Sequence, residues 1–269
     1  MNRALAAWMW SLGVVARSYR TVVALAALIA LWAFAAYEWL GLPAESSALL
    51  MILAFIWAIV QLLASAVIVG GTIAGVVEAS VTEGRSFPIR WLWTMGRKWL
   101  LTTLIFGLMS LVLMWLCSTV FDWINGHSVE VASYLTFHSG KPVSYVFIER
   151  IYDFIEGLWW TVFGGFLISF FIALRREGWR SAGKQIVKLF AGCAFRTPFL
   201  TNLLSVVVFG GIAYELANWR PVVPAGFWDY AQVVVRFSLV LILISTGALF
   251  WSLSLARVQL SKQDMSYEG

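Results

Sequence analysis

The sequence is short of the residues that most chemistry needs. Its 269 residues include 2 histidines, 2 cysteines and 6 prolines, and only 12% are charged. A typical soluble domain carries about 25% charged residues. Cys117 and Cys193 are too few for a disulfide scaffold, and neither sits in a CxxC pair of the metal or redox kind. The topology derived below puts them near opposite faces of a membrane, where they cannot pair. His127 and His138 both fall outside the long apolar runs. A membrane cytochrome of the bis-histidine type needs such ligands inside its spans, so that class is excluded. There is no Gly-rich phosphate loop, no GxSxG elbow, no HExxH and no recognisable pair of catalytic carboxylates. Conventional hydrolase or NTPase activity is therefore not expected, and neither is a cofactor. No aromatic-basic nucleic-acid module occurs, so nucleic acid is not an expected partner.

Apolar sequence is plentiful instead. Hydrophobic residues make up 61% of the chain, against about 45–50% in soluble domains. Mean hydropathy is +0.83. Soluble, disordered and collagen-like classes are excluded. An all-α polytopic membrane protein is predicted, organised as one transmembrane domain over 1–269.

Six apolar runs reach spanning length: Thr21 to about Leu40, Ser46–Val77, Trp99–Phe121, Gly157–Leu174, Thr197–Tyr214 and about Phe237 to Ala256. A spanning helix needs about 17–25 residues. The second run would extend about 48 Å as a helix, so it must tilt, kink or project from the bilayer.

Charge sets the expected orientation. The chain has 19 Lys and Arg against 14 Asp and Glu, a net charge of +5. Fifteen of the cations fall in the N-terminal stretch, the 78–98 and 175–196 connections and the C-terminal end. Only Lys141, Arg150, Arg220 and Arg236 fall on the other side. The positive-inside rule then predicts that both termini are cytoplasmic, in what is expected to be a bacterial inner membrane. Nine of the 14 acids lie on the outer side, which does not oppose that assignment.

Each odd-numbered span follows a basic, aromatic, amphipathic stretch: Ala4–Arg20, Phe87–Lys98 and Trp179–Arg196. The first has the outline of a signal peptide, with Arg3 before an uncharged run and Val14-Val15-Ala16 as a cleavage-like triplet. It is too short to span and is closed by Arg17, so an interfacial helix is the better reading. Three cytoplasmic interfacial helices, each leading into two spans, suggest three repeats over 1–80, 81–177 and 178–260, with a tail at 261–269. The rival reading is that any cytoplasmic loop looks basic and aromatic. The longest connection, the outer loop 122–156, reads as a small β-hairpin. Val129–Phe137 and Val143–Phe147 would be its strands and His138–Pro142 its turn, with a helix from about Ile148.

Candidate sites are few. His127, Glu130 and His138 are weak metal candidates, and a solvated loop is the better explanation of them. Gln61 and Asn202 lie deep in spans, where polar side chains usually join helices. Glu78 lies at the inner end of span two, with Arg85 and Arg90 near in sequence as ion-pair partners. Gly70, Gly71, Gly75, Gly164, Gly165, Gly210 and Gly211 read as helix-packing positions. Most of the sixteen tryptophans lie near span ends, as an aromatic belt.

The stretch Gly84-Arg-Ser-Phe-Pro-Ile-Arg-Trp-Leu-Trp-Thr-Met-Gly-Arg-Lys98 leads into a span, and Gly178 to Arg196 repeats the scheme. In this order of parts the chain resembles bacterial six-pass membrane families of uncharacterised function. Among them is the membrane domain attached to some glycerophosphodiester phosphodiesterases. The long outer loop departs from that pattern, and the resemblance implies no catalytic residues.

The expected role is therefore non-enzymatic: a subunit, assembly factor or scaffold of a membrane complex, partnered by lipid and by other membrane subunits or copies of itself. The alternative is a small transporter or channel for a lipid or hydrophobic molecule. A membrane enzyme working through the outer loop ranks below both.

Overall fold

A computed structural model of the chain describes residues 2–40, 48–82, 86–195, 197–221 and 226–264. It is helical, with no strand among the described residues. In chain order the helices are α1 (Asn2–Arg17), α2 (Tyr19–Leu40), α3 (Ala48–Val81), α4 (Arg90–Lys98), α5 (Leu100–Gly126) and α6 (Ser128–Ser139). Then follow α7 (Tyr145–Glu177), α8 (Trp179–Lys184), α9 (Ile186–Phe195), α10 (Thr197–Leu204), a π-helical segment (Ser205–Gly210), α11 (Gly211–Asn218) and α12 (Phe227–Asp264). Six stretches are long and apolar enough to cross a membrane: α2, α3, α5, α7, the continuous run Thr197–Asn218, and α12. They coincide with the six runs read from hydropathy, because a bilayer leaves backbone amides no partner except their own helix. Pro198 is the second residue of its helix, where its missing N–H costs nothing.

The spans form a regular arrangement. α3, α7 and α12 all touch one another and make a central trio. α2 lies against α12 and α3, α5 against α3 and α7, and α10 against α7 and α12. Each outer span thus fills a groove between two central ones. The short helices follow the same rule: α4 packs on α3, α9 on α7, and α1 on α12. Helices form at all three amphipathic stretches. The two basic residues Arg85 and Arg196 that border them lie outside the described residues, as does 265–269 of the tail.

Most of the burial lies at one end of the bundle. The buried residues of α3 run only from Ala66 to Ser80. Those of α7 run from Thr161 to Leu174, apart from Ile148. Val22, Leu25 and Ala26 are buried near the start of α2, and Leu249 to Val258 near the end of α12. Because the spans alternate in direction, these segments share one end, here called the closed end. At the open end the same helices splay and expose leucine, isoleucine and aromatic side chains.

Glycines permit the closest crossing. A methyl on Gly71 would collide with the Leu92 carbonyl, and one on Gly96 with that of Val67. α4 therefore lies directly on the backbone of α3. Phe87 is 1% exposed and fills the space over Gly75. Its backbone is clamped by the α1–α2 junction: its N–H donates to Ser18 Oγ at 2.7 Å, and its carbonyl accepts from Thr21 Oγ1.

The outer β-hairpin is not formed. Residues 128–139 are helix α6, and of the second expected strand Val143 and Ser144 precede α7 while Tyr145 to Phe147 begin it. Ser128 and Ala132, one turn apart, are the buried face of α6, which packs on α7. Valine and threonine lower helix propensity only slightly, so packing against α7 overrides them. The hydroxyls of Ser133 and Thr136 bond back to carbonyls four residues earlier, at 2.8 Å each. The turn cluster itself is a turn. Gly140 takes φ 66° and ends α6, and the Val143 N–H donates to Thr136 Oγ1 at 2.9 Å.

Candidate functional site

The histidine cluster is not assembled. His127 Nε2 stands 3.9 Å from Glu130, both side chains being solvent-accessible. His138 lies three turns further along α6, where its Nδ1 pairs with the Tyr134 carbonyl at 3.0 Å. Among the described residues no group of three His, Cys, Asp or Glu side chains could hold a metal ion.

The polar positions inside the spans have separate roles. Asn202 is fully buried. Its Oδ1 accepts from the Trp251 indole at 2.8 Å, and its Nδ2 donates to the Cys193 carbonyl at 3.4 Å. It lies directly on Gly165, where any side chain would displace it. One residue before it, Thr201 accepts the Trp8 indole N–H at 3.0 Å. Asn202 therefore joins α7, α9, α10 and α12, and the neighbouring Thr201 adds α1. The π-helical segment begins just beyond, at Ser205. Its Phe209 covers Gly247 of α12.

Gln61 stays apart from this network. Its carbonyl accepts the Trp32 indole at 3.3 Å, and its Nε2 has no partner among the described residues. Glu78 lies near the end of α3, and Arg85, one of its expected partners, lies outside the described residues. Glu78 acts electrostatically on Arg175 of α7.

Five of the seven expected glycines make close approaches: Gly70 to Thr103, Gly71 to Leu92, Gly75 to Phe87, Gly164 to Trp251 and Gly165 to Asn202. Gly210 meets only Val206 of its own helix, at 3.9 Å, and Gly211 meets nothing within 4 Å. These two lie at the end of the π-helical segment and face no other helix. Gly96 and Gly247, which do, carry no doublet or GxxxG mark in the sequence.

Two features were not legible in sequence. The first is an apolar cleft of about 340 Å³ between α3, α5 and α7, bounded by Leu62, Ile73, Gly107, Leu111, Leu167 and Phe171. Its three hydroxyls are already committed to their own helices. Ser65, Thr103 and Ser110 donate to the carbonyls of Gln61, Trp99 and Phe106, at 2.8, 2.9 and 2.8 Å. Phe106 and Phe171 stack on its floor with centroids 4.7 Å apart and planes 6° from parallel.

The second feature is a stacked cation. The Arg175 guanidinium lies 3.7 Å from the centroid of the Trp99 ring. Arg175 Nε and Trp99 Nε1 are both buried without a hydrogen-bond partner among the described residues. Leaving a buried donor unpaired costs about 1–3 kcal/mol. Sequence reading assigns Arg175 to the count of inner cations and Trp99 to the aromatic belt, because nothing local shows that they meet.

A smaller polar crevice of about 100 Å³ lies at the closed end, between α7, α9, α10 and α12. Glu177 accepts there from Ser181 Oγ at 2.7 Å and from Gln185. Gln259 Nε2 donates to the Ser169 carbonyl at 3.3 Å. These polar groups tie α7 to α8 and to α12.

Compared with protein-family models, with curated proteins and with solved structures, the chain matches none of them.

Proposed function

We propose that this chain is a non-enzymatic integral membrane protein that works through contacts, as a subunit, assembly factor or scaffold of a membrane complex. We place it in a bacterial inner membrane with both termini, and hence the closed end, in the cytoplasm. One observation carries the reading: the bundle is packed mainly at one end. Only 6% of the most apolar stretch of α3 and of α5 is buried, against 50% of that of α7. Lipid covers such surfaces adequately, but small and apolar faces left open by splayed helices also suit other transmembrane helices. The test is mild extraction of the tagged protein at native abundance, with mass spectrometry of what co-purifies. A stoichiometric membrane-protein partner supports the reading. Recovery with lipid alone, monodisperse, counts against it.

The apolar cleft favours a second reading, a small transporter or channel for a lipid or another hydrophobic molecule. No charged residue bounds the cleft, which argues against ion coupling. Replacing Gln61, Glu78 and Asn202 in turn, with flux unchanged in all three, would remove them from such a role.

A further inference from the structure

We propose that the α3–α5–α7 groove is a binding site for one anionic phospholipid, with an acyl chain in the apolar cleft and the phosphate at Arg175. It goes beyond the partner reading and does not depend on it.

The positions of the lining residues carry the argument. Ile73, Thr103 and Phe171 mark the end of the cleft nearest the closed end of the bundle. One helical turn further lie Glu78 on α3, Trp99 on α5 and Arg175 on α7. Trp99 is four residues before Thr103, and Arg175 is four after Phe171, so each pair shares a face of its helix. The stacked cation therefore stands at the mouth of the cleft. From Leu62 to Ile73 the cleft runs about 16 Å along α3, close to half of a hydrocarbon core of about 30 Å. It is as deep as one leaflet and open on one side to that leaflet. Its walls offer no free hydrogen-bonding group, since all three hydroxyls are paired. The mouth offers the opposite. Two buried N–H donors, Arg175 Nε and Trp99 Nε1, lack acceptors among the described residues. A phosphate accepts from both and complements the positive charge. Glu78 offsets part of that charge, while Arg97 and Lys98 lie on the adjoining turn of α4. A neutral hydrocarbon would satisfy the cleft and leave both donors unpaired. An anion without a chain would do the reverse.

The other two grooves carry side chains of the chain itself. Between α7, α10 and α12 stand Asn202, Trp251 and Phe209. Along α2 and α3, Trp32 and Trp57 donate to the carbonyls of Gln61 and Ala35 at 3.3 and 3.2 Å. In the third groove Gly107 leaves the space open, and a Cβ there would meet nothing within 4 Å.

The experiment uses the full chain in a neutral detergent. It is titrated with phosphatidylglycerol or phosphatidylcholine of identical acyl chains, and bound lipid is counted by native mass spectrometry. Both lipids present the same phosphate, but the choline ammonium cancels the net charge that Arg175 complements, so one phosphatidylglycerol should be retained about tenfold better than phosphatidylcholine. Arg175→Gln should bring that ratio near one, and Arg175→Lys should keep a preference. Gly107→Leu, which places a side chain in open space, should lower retention of both lipids and carries the test alone if Arg175→Gln does not fold. Equal retention by the natural chain would overturn the site. So would an unchanged ratio in Arg175→Gln, or unchanged retention in Gly107→Leu. Inorganic phosphate alone competing as well as a short-chain phosphatidylglycerol would overturn the assignment to a lipid.

Discussion

At the scale of single residues, the bundle is organised by polar side chains that have found partners. Asn202 is the clearest case. Its position deep in an apolar run marks it in the sequence, since an amide in hydrocarbon must be paired or pay several kcal/mol. What the run does not show is which groups pair with it. Trp251, Cys193 and Gly165 come from three other helices. Asn202→Ala leaves the Trp251 indole N–H without its acceptor. The expected loss is about 1–3 kcal/mol in reversible unfolding in detergent, with the bundle still helical by circular dichroism. A loss below about 0.5 kcal/mol, the usual range of surface substitutions, would show that the amide is dispensable. Arg175 and Trp99 make the complementary point. Each has an ordinary explanation from its own neighbourhood, and only their stacking across two helices makes them unusual.

At the scale of elements, length and pairing separate. α3 has 34 residues, about 51 Å of helix, more than a bilayer's apolar thickness. Its sequence announces the excess but not its use. The structure spends the second half, from Ala66 onward, as the wall on which α4 lies. Phe87 is the pin of that contact, held between Gly75 and the α1–α2 junction. Phe87→Ala should cost about 3–5 kcal/mol by the same unfolding measurement, as large core truncations do. Substituting the exposed Phe137 of α6, 85% accessible, should leave stability nearly unchanged. α6 itself shows the limit of local reading. Its valines and threonines suit a strand, yet a hairpin standing alone gains little in water. A helix can lay Ser128 and Ala132 on α7 and satisfy its own backbone.

At the scale of the whole molecule, the six spans follow a threefold scheme of contacts, with three central helices and three in the grooves. The side chains beside the three outer spans differ, with an apolar cleft beside α5, so the arrangement is regular in backbone and unequal in side chains. The closed end carries α1, α4, α8 and α9 with most of the cations, which is the basis for placing it in the cytoplasm. That orientation has a direct test in a chain whose two cysteines are replaced by serine. A membrane-impermeant maleimide should label Ser139→Cys on intact cells and Lys184→Cys only after permeabilisation. The reverse pattern would place the closed end outside.

Composition and hydropathy alone determined that this is a helical, six-span membrane protein, because hydrocarbon leaves the backbone no alternative and the count of apolar runs follows directly. They also single out Asn202 and the glycine pairs, since a lone amide or a glycine pair in such a run is a local signal. Only the tertiary structure decided which helices meet, that the bundle is packed mainly at one end, that residues 128–139 are helical, that an apolar cleft opens between α3, α5 and α7, and that Arg175 stacks on Trp99. Those outcomes rest on contacts between residues far apart in the chain. Periodicity carries the face of one helix but not the identity of the surface that will cover it.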